Sequence, residues 1–371
     1  MAFFLDKKHF WRSKQSDPNG DAMRSTGLFF RVLLASGVAV LSAGVVGCGG
    51  NTPSPSPTLP SVPTVPTVPP ASPAVGPIIP KPSLLVGDDA NDPYIFVFPP
   101  TATGSPAPTT VINNARNVST DGAGNIYVVS GDGFIQEYLA GQPVGTPARS
   151  IPLPAGTDAV KVVKSVSPTG EIFVADAKGV SVFSATANGN DQPVRYIMGN
   201  SQPDGGQATA INPRYALAID GADNLYMSNN GATPIVVFGS TATGTVVPVR
   251  ALGGSLTMLF GKLFDVYGMA IDSIGNLYVN CYCQGAPAIL EFSPTANGNV
   301  APIRTISGAL TLVYIGGIAV DATGNIYHST TTNYVTQSVM KYSPTASGNV
   351  VPDSILTVGP WTGYDQSIAV Y

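Results

Sequence analysis

One motif returns along most of this chain at an interval of about fifty residues. It reads apolar-Ala-apolar-Asp-x-x-Gly-Asn-apolar-Tyr-apolar. Copies stand at residues 119–128, 218–226, 270–278 and 319–327, with a degenerate one at 167–174. The aromatic of each copy is Tyr127, Phe173, Tyr226, Tyr278 or Tyr327, and the separations are 46, 53, 52 and 49 residues. A period of that size belongs to propeller blades rather than to short solenoid repeats. The constraint is severe, because a single four-stranded unit cannot bury both of its faces and must stack on its neighbours around an axis.

Each repeat has a second half. An alternating strand ends in an aromatic and is followed by Thr-Ala-x-Gly, then Pro and often Arg. This pattern occupies residues 183–195, 238–250, 292–304 and 342–352, with a shorter copy at 98–106 and the weakest at 138–149. Each unit therefore offers four strands. The Asp-x-x-Gly-Asn segment reads as a tight turn between the first two, with Asn or Gly left-handed and Asp bonding turn amides. Tyr and its apolar neighbours are expected to pack between blades. The aspartates Asp121, Asp220, Asp272 and Asp321 fall one per unit, too far apart around a ring to share an ion, and read as turn-makers.

Counting units closes the ring. Inner strands start near Asn117, Val163, Ala216, Gly268 and Gly317, and a sixth, residues 367–371, lacks its three partners. Those partners stand at the other end, at residues 84–86, 94–98 and 109–112. The expectation is an all-β, six-bladed propeller of four-stranded antiparallel blades over residues 83–371. The strand at 367–371 joins the N-terminal strands at 84–112 and removes the open sheet edge. An open β-solenoid would leave an orphan strand at each end.

Composition narrows the function. Charged residues are 11% of the chain, against about 25% in an average soluble domain. From Cys48 onward 12 Lys or Arg face 19 Asp or Glu, a poor electrostatic partner for nucleic acid. Two His and three Cys build neither a His-rich metal cage nor a disulfide framework. His328 follows Tyr327 where other copies carry Val or Met, with no recognisable nucleophile or carboxylate partner for acid–base work. Glu137, Glu171 and Glu291 are the glutamates beyond the N-terminal segment, all at strand or turn positions. Cys281 and Cys283 flank Tyr282; on an extended strand they share a face and form either a local disulfide or an idiosyncratic pair.

The N-terminal region reads as export and attachment. Arg24 and Arg31 precede an uncharged apolar or small stretch over 32–47, short of the roughly 20 residues a spanning helix needs. Val45-Val46-Gly47-Cys48 resembles a bacterial lipobox, so residues 1–47 read as a signal peptide and Cys48 as the lipidated mature N-terminus. Met23 offers a start that gives a signal of ordinary length. Residues 51–82 hold 12 prolines in 32 positions and read as an extended spacer. At about 3.1 Å per residue it reaches roughly 100 Å. Residues 48–82 thus form a lipidated tether. Gly49 rather than Asp follows the cysteine, which favours the outer membrane or cell surface. The expected location is the bacterial cell envelope, outside the cytoplasm.

Gly-Asn-[Ile/Leu]-Tyr-Val after an Asp turn, at this period, resembles NHL-repeat six-bladed propellers. The wider group includes gluconolactonase-like and streptogramin-lyase-like propellers. The resemblance spans about 83–371 and implies the fold more than the task, since fold does not fix chemistry. It implies ligand binding at one mouth of the central channel, lined by loops entering the inner strands and loops between second and third strands. The first set offers Arg116, Lys164, Arg214, Tyr215, Tyr267, Tyr314, Tyr364 and Asp365. The second offers Asp88, Asp89, Asn91, Asp92, Asp132, Asp176, Asn229, Asn230, Asn280, Tyr282 and Asn333. Aromatics with amides and carboxylates suit a polar organic ligand, a glycan or a peptide; the alternative is that these side chains pack between blades or are merely solvated.

Three readings stay open. One is a membrane-tethered binding or scaffold module for a protein, peptide or glycan, monomeric and without cofactor. Another is a hydrolase or lyase with a divalent cation in the channel. The third is a purely structural envelope lipoprotein. Nothing identifies catalytic residues or metal ligands.

Overall fold

The computed structural model describes residues 78–88, 93–154, 157, 163–176, 179–199, 216–229, 233–259, 265–332, 336–360 and 367–371. The expected signal peptide, Cys48 and the expected tether up to residue 77 lie outside them. The described chain is all-β, with no α-helix among these residues, and forms a six-bladed propeller.

Blade 1 is assembled from both ends of the domain. It orders β25 (Ile368–Val370), β1 (Leu84–Asp88), β2 (Tyr94–Phe98) and β3 (Thr110–Asn113) from the inside outward. Blade 2 holds β4 (Ala115–Thr120), β5 (Ile126–Ser130), β6 (Phe134–Tyr138) and β7 (Arg149–Pro152). Blade 3 holds β8 (Val163–Val166), β9 (Ile172–Asp176), β10 (Gly179–Phe183) and β11 (Arg195–Gly199). Blade 4 holds β12 (Leu217–Ile219), β13 (Leu225–Ser228), β14 (Ile235–Phe238) and β16 (Arg250–Leu252). Blade 5 holds β17 (Asp265–Ile271), β18 (Leu277–Cys283), β19 (Ala286–Phe292) and β20 (Arg304–Ser307). Blade 6 holds β21 (Ile318–Val320), β22 (Ile326–Thr332), β23 (Thr336–Tyr342) and β24 (Ser354–Pro360). The remaining strand, β15 (Gly244–Val246), pairs parallel with β11 and gives blade 3 a fifth strand, where four are expected in every blade.

Ring closure follows the sequence expectation. β1 pairs antiparallel with β25 in the register Leu84↔Val370, Leu85↔Ala369, Val86↔Ile368. The core is distributed rather than central. Six apolar clusters each draw on two neighbouring blades, as that between blades 5 and 6 does with Tyr278, Ile306, Ile326 and Tyr342. That division is the physical reason the blades cannot stand alone.

β15 exposes a feature that recurs around the rim. It lies in the Thr-Ala-x-Gly loop of blade 4, and the same loop of other blades touches the outer strand of the preceding blade. Parallel bridges join Gly298 to Leu252, Gly348 to Ile306 and Gly104 to Leu356. Gly189 N–H donates to Ser150 O at 3.0 Å. The motif glycine takes a left-handed φ at each of these places, from 55° at Gly189 to 72° at Gly104. A side chain resists that conformation, which is why the motif fixes Gly there. The loop also covers an outer strand that would otherwise be an open edge.

Antiparallel neighbours sort the connections between two ends. The turns between first and second strands and the Thr-Ala-x-Gly loops lie at one end, here called the base. The hairpins between second and third strands and the blade-to-blade crossovers lie at the other, the mouth.

Candidate functional site

The base is built from the repeated residues, and their polar groups are occupied with one another. In blade 5 Asp272 Oδ1 accepts from the amides of Ile274 (3.1 Å) and Asn276 (2.8 Å). Its Oδ2 accepts from Asn276 Nδ2 at 3.0 Å and Tyr278 OH at 3.3 Å. Asp121, Asp220 and Asp321 cap their turns in the same way. At Asp321 burial opposes ionisation, but bonds from Asn325 and Thr323 outweigh it and hold the carboxyl below its usual range. The turn-maker reading holds, with an addition the sequence did not show: Asp121, Asp272 and Asp321 also anchor the tyrosine six residues on.

The network continues outward to the rim. Tyr278 OH also meets Glu291 Oε1 at 3.2 Å, and Glu291 pairs with Arg304. Arg304 lies over the Tyr278 ring, 5.8 Å from its centre, and donates to Pro344 O and Ala346 O in the loop of blade 6. Blade 2 repeats this with Tyr127, Glu137 and Arg149, the last reaching Ala185 O (2.6 Å) and Ala187 O (2.9 Å) of blade 3. Arg195 pairs with Glu171 at 2.7 Å and lies over Phe173. Arg250 lies over Tyr226, and Lys341 covers Tyr327 in blade 6. All three glutamates beyond the N-terminal segment are thus ion-paired structural groups. Burial and the neighbouring carboxylates push Tyr127 and Tyr278 well above the usual tyrosine range, so both stay neutral.

The mouth is made of connections that do not repeat. Asp132 there accepts from Asn114 Nδ2 at 2.9 Å, and Asn114 Oδ1 accepts from Gly131 N–H at 3.1 Å. Arg116 is buried in β4, just before an irregularity between Arg116 and Ser119. Asn229 is buried and donates to Thr233 O at 3.1 Å, while its Oδ1 has no hydrogen-bond partner among the described residues. Thr330 Oγ1 is likewise buried without one among them. Asp88 is buried at the end of β1, and Gln337 of blade 6 donates to Gly87 O beside it at 2.8 Å.

Asn280, Tyr314 and His328 converge on one crossover. Asn280 donates to Tyr314 O at 2.9 Å and accepts from Gly316 N–H at 3.0 Å. His328 Nε2 accepts from Tyr314 N–H at 3.3 Å, and Nδ1 faces Gly317 O at 3.1 Å. The ring is therefore neutral, with its proton on Nδ1. Burial pushes its pKa down to about 4, against the smaller opposing effect of the Gly317 and Tyr314 bonds. Asn280 and His328 are clamps of the 314–317 segment. Tyr267 is half-buried in β17 beside Gly268, where an added Cβ would stand 2.8 Å from Gly316 O. Cys281 and Cys283 form a disulfide, Cα atoms 5.4 Å apart, and leave Tyr282 half-buried between them.

The other expected mouth residues are less completely placed. Lys164 and Asp176 stand in β8 and β9, and their side chains lie outside the description. Arg214, Tyr215, Tyr364, Asp365, Asp89, Asn91, Asp92, Asn230 and Asn333 lie outside the described residues. Asn114, Gln337 and Thr330 were not anticipated; each belongs to a segment that breaks the repeat, where periodicity carries no signal. Among the described residues no group of three His, Cys, Asp or Glu side chains is placed to hold a metal ion.

No protein-family model matches the chain, and no curated protein matches it. Solved structures do. A protein of unknown function from Bacteroides caccae is 11% identical with a TM-score of 0.52, covering 78% of this chain and 98% of its own. The WD40 propeller domain of Doa1 is 15% identical with a TM-score of 0.42, over 66% of this chain and 71% of its own. The WD40 domain of Toxoplasma gondii coronin is 10% identical with a TM-score of 0.45, over 74% and 68%. At 11% identity the likeness to the Bacteroides caccae protein is one of fold alone.

Proposed function

We propose that this chain is an envelope-tethered binding module of NHL-repeat type. It is exported, lipidated at Cys48, held on the proline-rich tether, and engages a protein, peptide or glycan at the mouth of the propeller. The division of labour between the two ends carries this reading. At the base the repeated Asp, Tyr, Glu and Arg groups satisfy one another and bind the blades together. At the mouth the connections are free of the repeat and carry the half-buried Tyr314, with Tyr267 and Tyr282 half-buried in the adjoining strands. Rigid scaffolds with variable loops at one end place recognition in those loops. The resemblance in the Gly-Asn-aromatic motif supports the NHL assignment, and the lipobox-like Gly47-Cys48 supports the anchor.

The test is binding of the full chain to glycan and peptide arrays, with titration of any hit against single variants. Tyr267→Ala or Tyr314→Ala at the mouth is expected to weaken binding tenfold or more. Ile274→Ala, on an exposed base turn, is expected to leave it unchanged. A folded protein that finds no ligand, or one whose binding ignores both mouth variants, overturns the reading.

A further inference from the structure

Five of the six blade junctions are plugged at the base by the alanine of a Thr-Ala-x-Gly loop. Ala187, Ala242, Ala296, Ala346 and Ala102 enter the clusters between blades 2–3, 3–4, 4–5, 5–6 and 6–1. The junction between blades 1 and 2 has no such alanine, because the corresponding loop at 139–148 is the degenerate copy. Ile79 takes the place. It is 3% exposed and packs in the same cluster as Val144, Ile112, Ile126 and Ala369.

The residues around Ile79 span that seam. Ile78 bridges to Pro143 in the loop of blade 2. Lys81 donates to Ala123 O in the first turn of blade 2 and lies over the Tyr371 ring, 5.4 Å from its centre. Ser83 exchanges backbone bonds with Tyr371, at 3.1 and 3.3 Å, beside the closing strand. One short segment therefore touches blade 2, the shared core and the end of β25. It does so beside β25, whose pairing with β1 inside blade 1 joins the two ends of the propeller.

We infer that residues 78–83 are a strap that closes the ring. The strap is a conformational device distinct from the mouth. Displacing or cutting it opens this seam and frees β25 while the other five junctions stay stitched.

Hydrogen exchange on the full chain tests this. Ile79→Ala removes the plug; Ile306→Ala removes an equally buried isoleucine between blades 5 and 6 and serves as the matched control. Ile79→Ala is expected to speed exchange of the Ala369 and Tyr371 amides, which face β1 in the closing ladder, by about 30-fold or more, the lower bound for emptying a buried isoleucine site. Amides of β18 and β19 are expected to be unchanged. Ile306→Ala is expected to give the reverse pattern. Should Ile79→Ala not fold, Lys81→Ala, which removes an exposed side chain, puts the same question to the same amides with a smaller expected increase. Unchanged protection of β25, or equal acceleration in every blade, overturns the strap.

Discussion

His328 offers a test in which one proton reports on one clamp. The chain has two histidines, and the other, His9, lies in the N-terminal segment. His328 is fully buried, and its Nε2 accepts the Tyr314 amide. A proton on Nε2 would set two donors against each other in the dry interior. The ring pKa is about 4 when folded, against an unfolded value of 6.5. The unfolded chain thus binds the proton more tightly, and stability falls as pH drops from about 6.5 toward 4. From pH 7.5 to 5 the loss is roughly 2 kcal/mol. Urea unfolding of the full chain at both pH values measures it. Carboxylates titrate in the same range, so the decisive quantity is the difference from His328→Met, which copies the residue at the equivalent strand position, Met227. The variant leaves the Tyr314 amide without its acceptor and is less stable at every pH, but it should lack the roughly 2 kcal/mol of pH dependence. Equal pH dependence in both proteins would refute the buried neutral clamp.

Arg304→Met strands the largely buried Glu291 and removes two bonds into the next blade, and should cost about 3 kcal/mol by urea unfolding. The register partner in blade 6 is Ser354 opposite Lys341, so Ser354→Ala should cost less than about 0.5 kcal/mol. Gly268→Ala drives a Cβ against the Gly316 carbonyl at 2.8 Å and Ile318 N at 3.1 Å, and should lower stability by roughly 1–3 kcal/mol. Gly348→Ala meets open space and should cost only the left-handed backbone, about 1–2 kcal/mol. Burial raises Tyr127, Tyr278, Tyr327 and Tyr342, with carboxylates adding to it at the first three, so the folded state holds those protons longer. Stability should fall as pH rises above about 10, by up to about 1.4 kcal/mol per pH unit for each such tyrosine. Phenolate absorbance should appear together with unfolding.

The blades were legible because their signals are local. Asp272, Gly275 and Asn276 make one turn within five residues, and Gly275 needs its left-handed φ of 89°. Blade 4 departs from the motif, yet Asp223 adopts a φ of 60° in the place of the glycine, as a short polar side chain can. Closure was legible because the orphan strand at one end and its three partners at the other each showed alternation. What escaped depends on register and on the neighbouring repeat. Glu291 meets Arg304 because they are directly opposed across β19 and β20, which no motif states. Gly348 bonds to the strand around Ile306, more than forty residues back, so its purpose is visible only when blades stand side by side. Ile79 reads as the tail of a proline-rich spacer and belongs to the core. At the mouth Asn280 reads as a ligand group, but its side-chain amide holds the crossover at Tyr314 and Gly316 together. Such connections follow no period, and the polar residues that bind their own backbone look the same in sequence as those that bind a guest.

The proposed binding module recognises its ligand without metal chemistry. Thermal unfolding of the full chain addresses it most directly, first with EDTA and then with Ca²⁺ or Zn²⁺. A cation bound only by the folded state raises the melting temperature by mass action. The account predicts superimposable transitions in all three conditions. A reproducible rise with either cation, reversed by EDTA, would contradict it and favour the metal-dependent hydrolase or lyase reading.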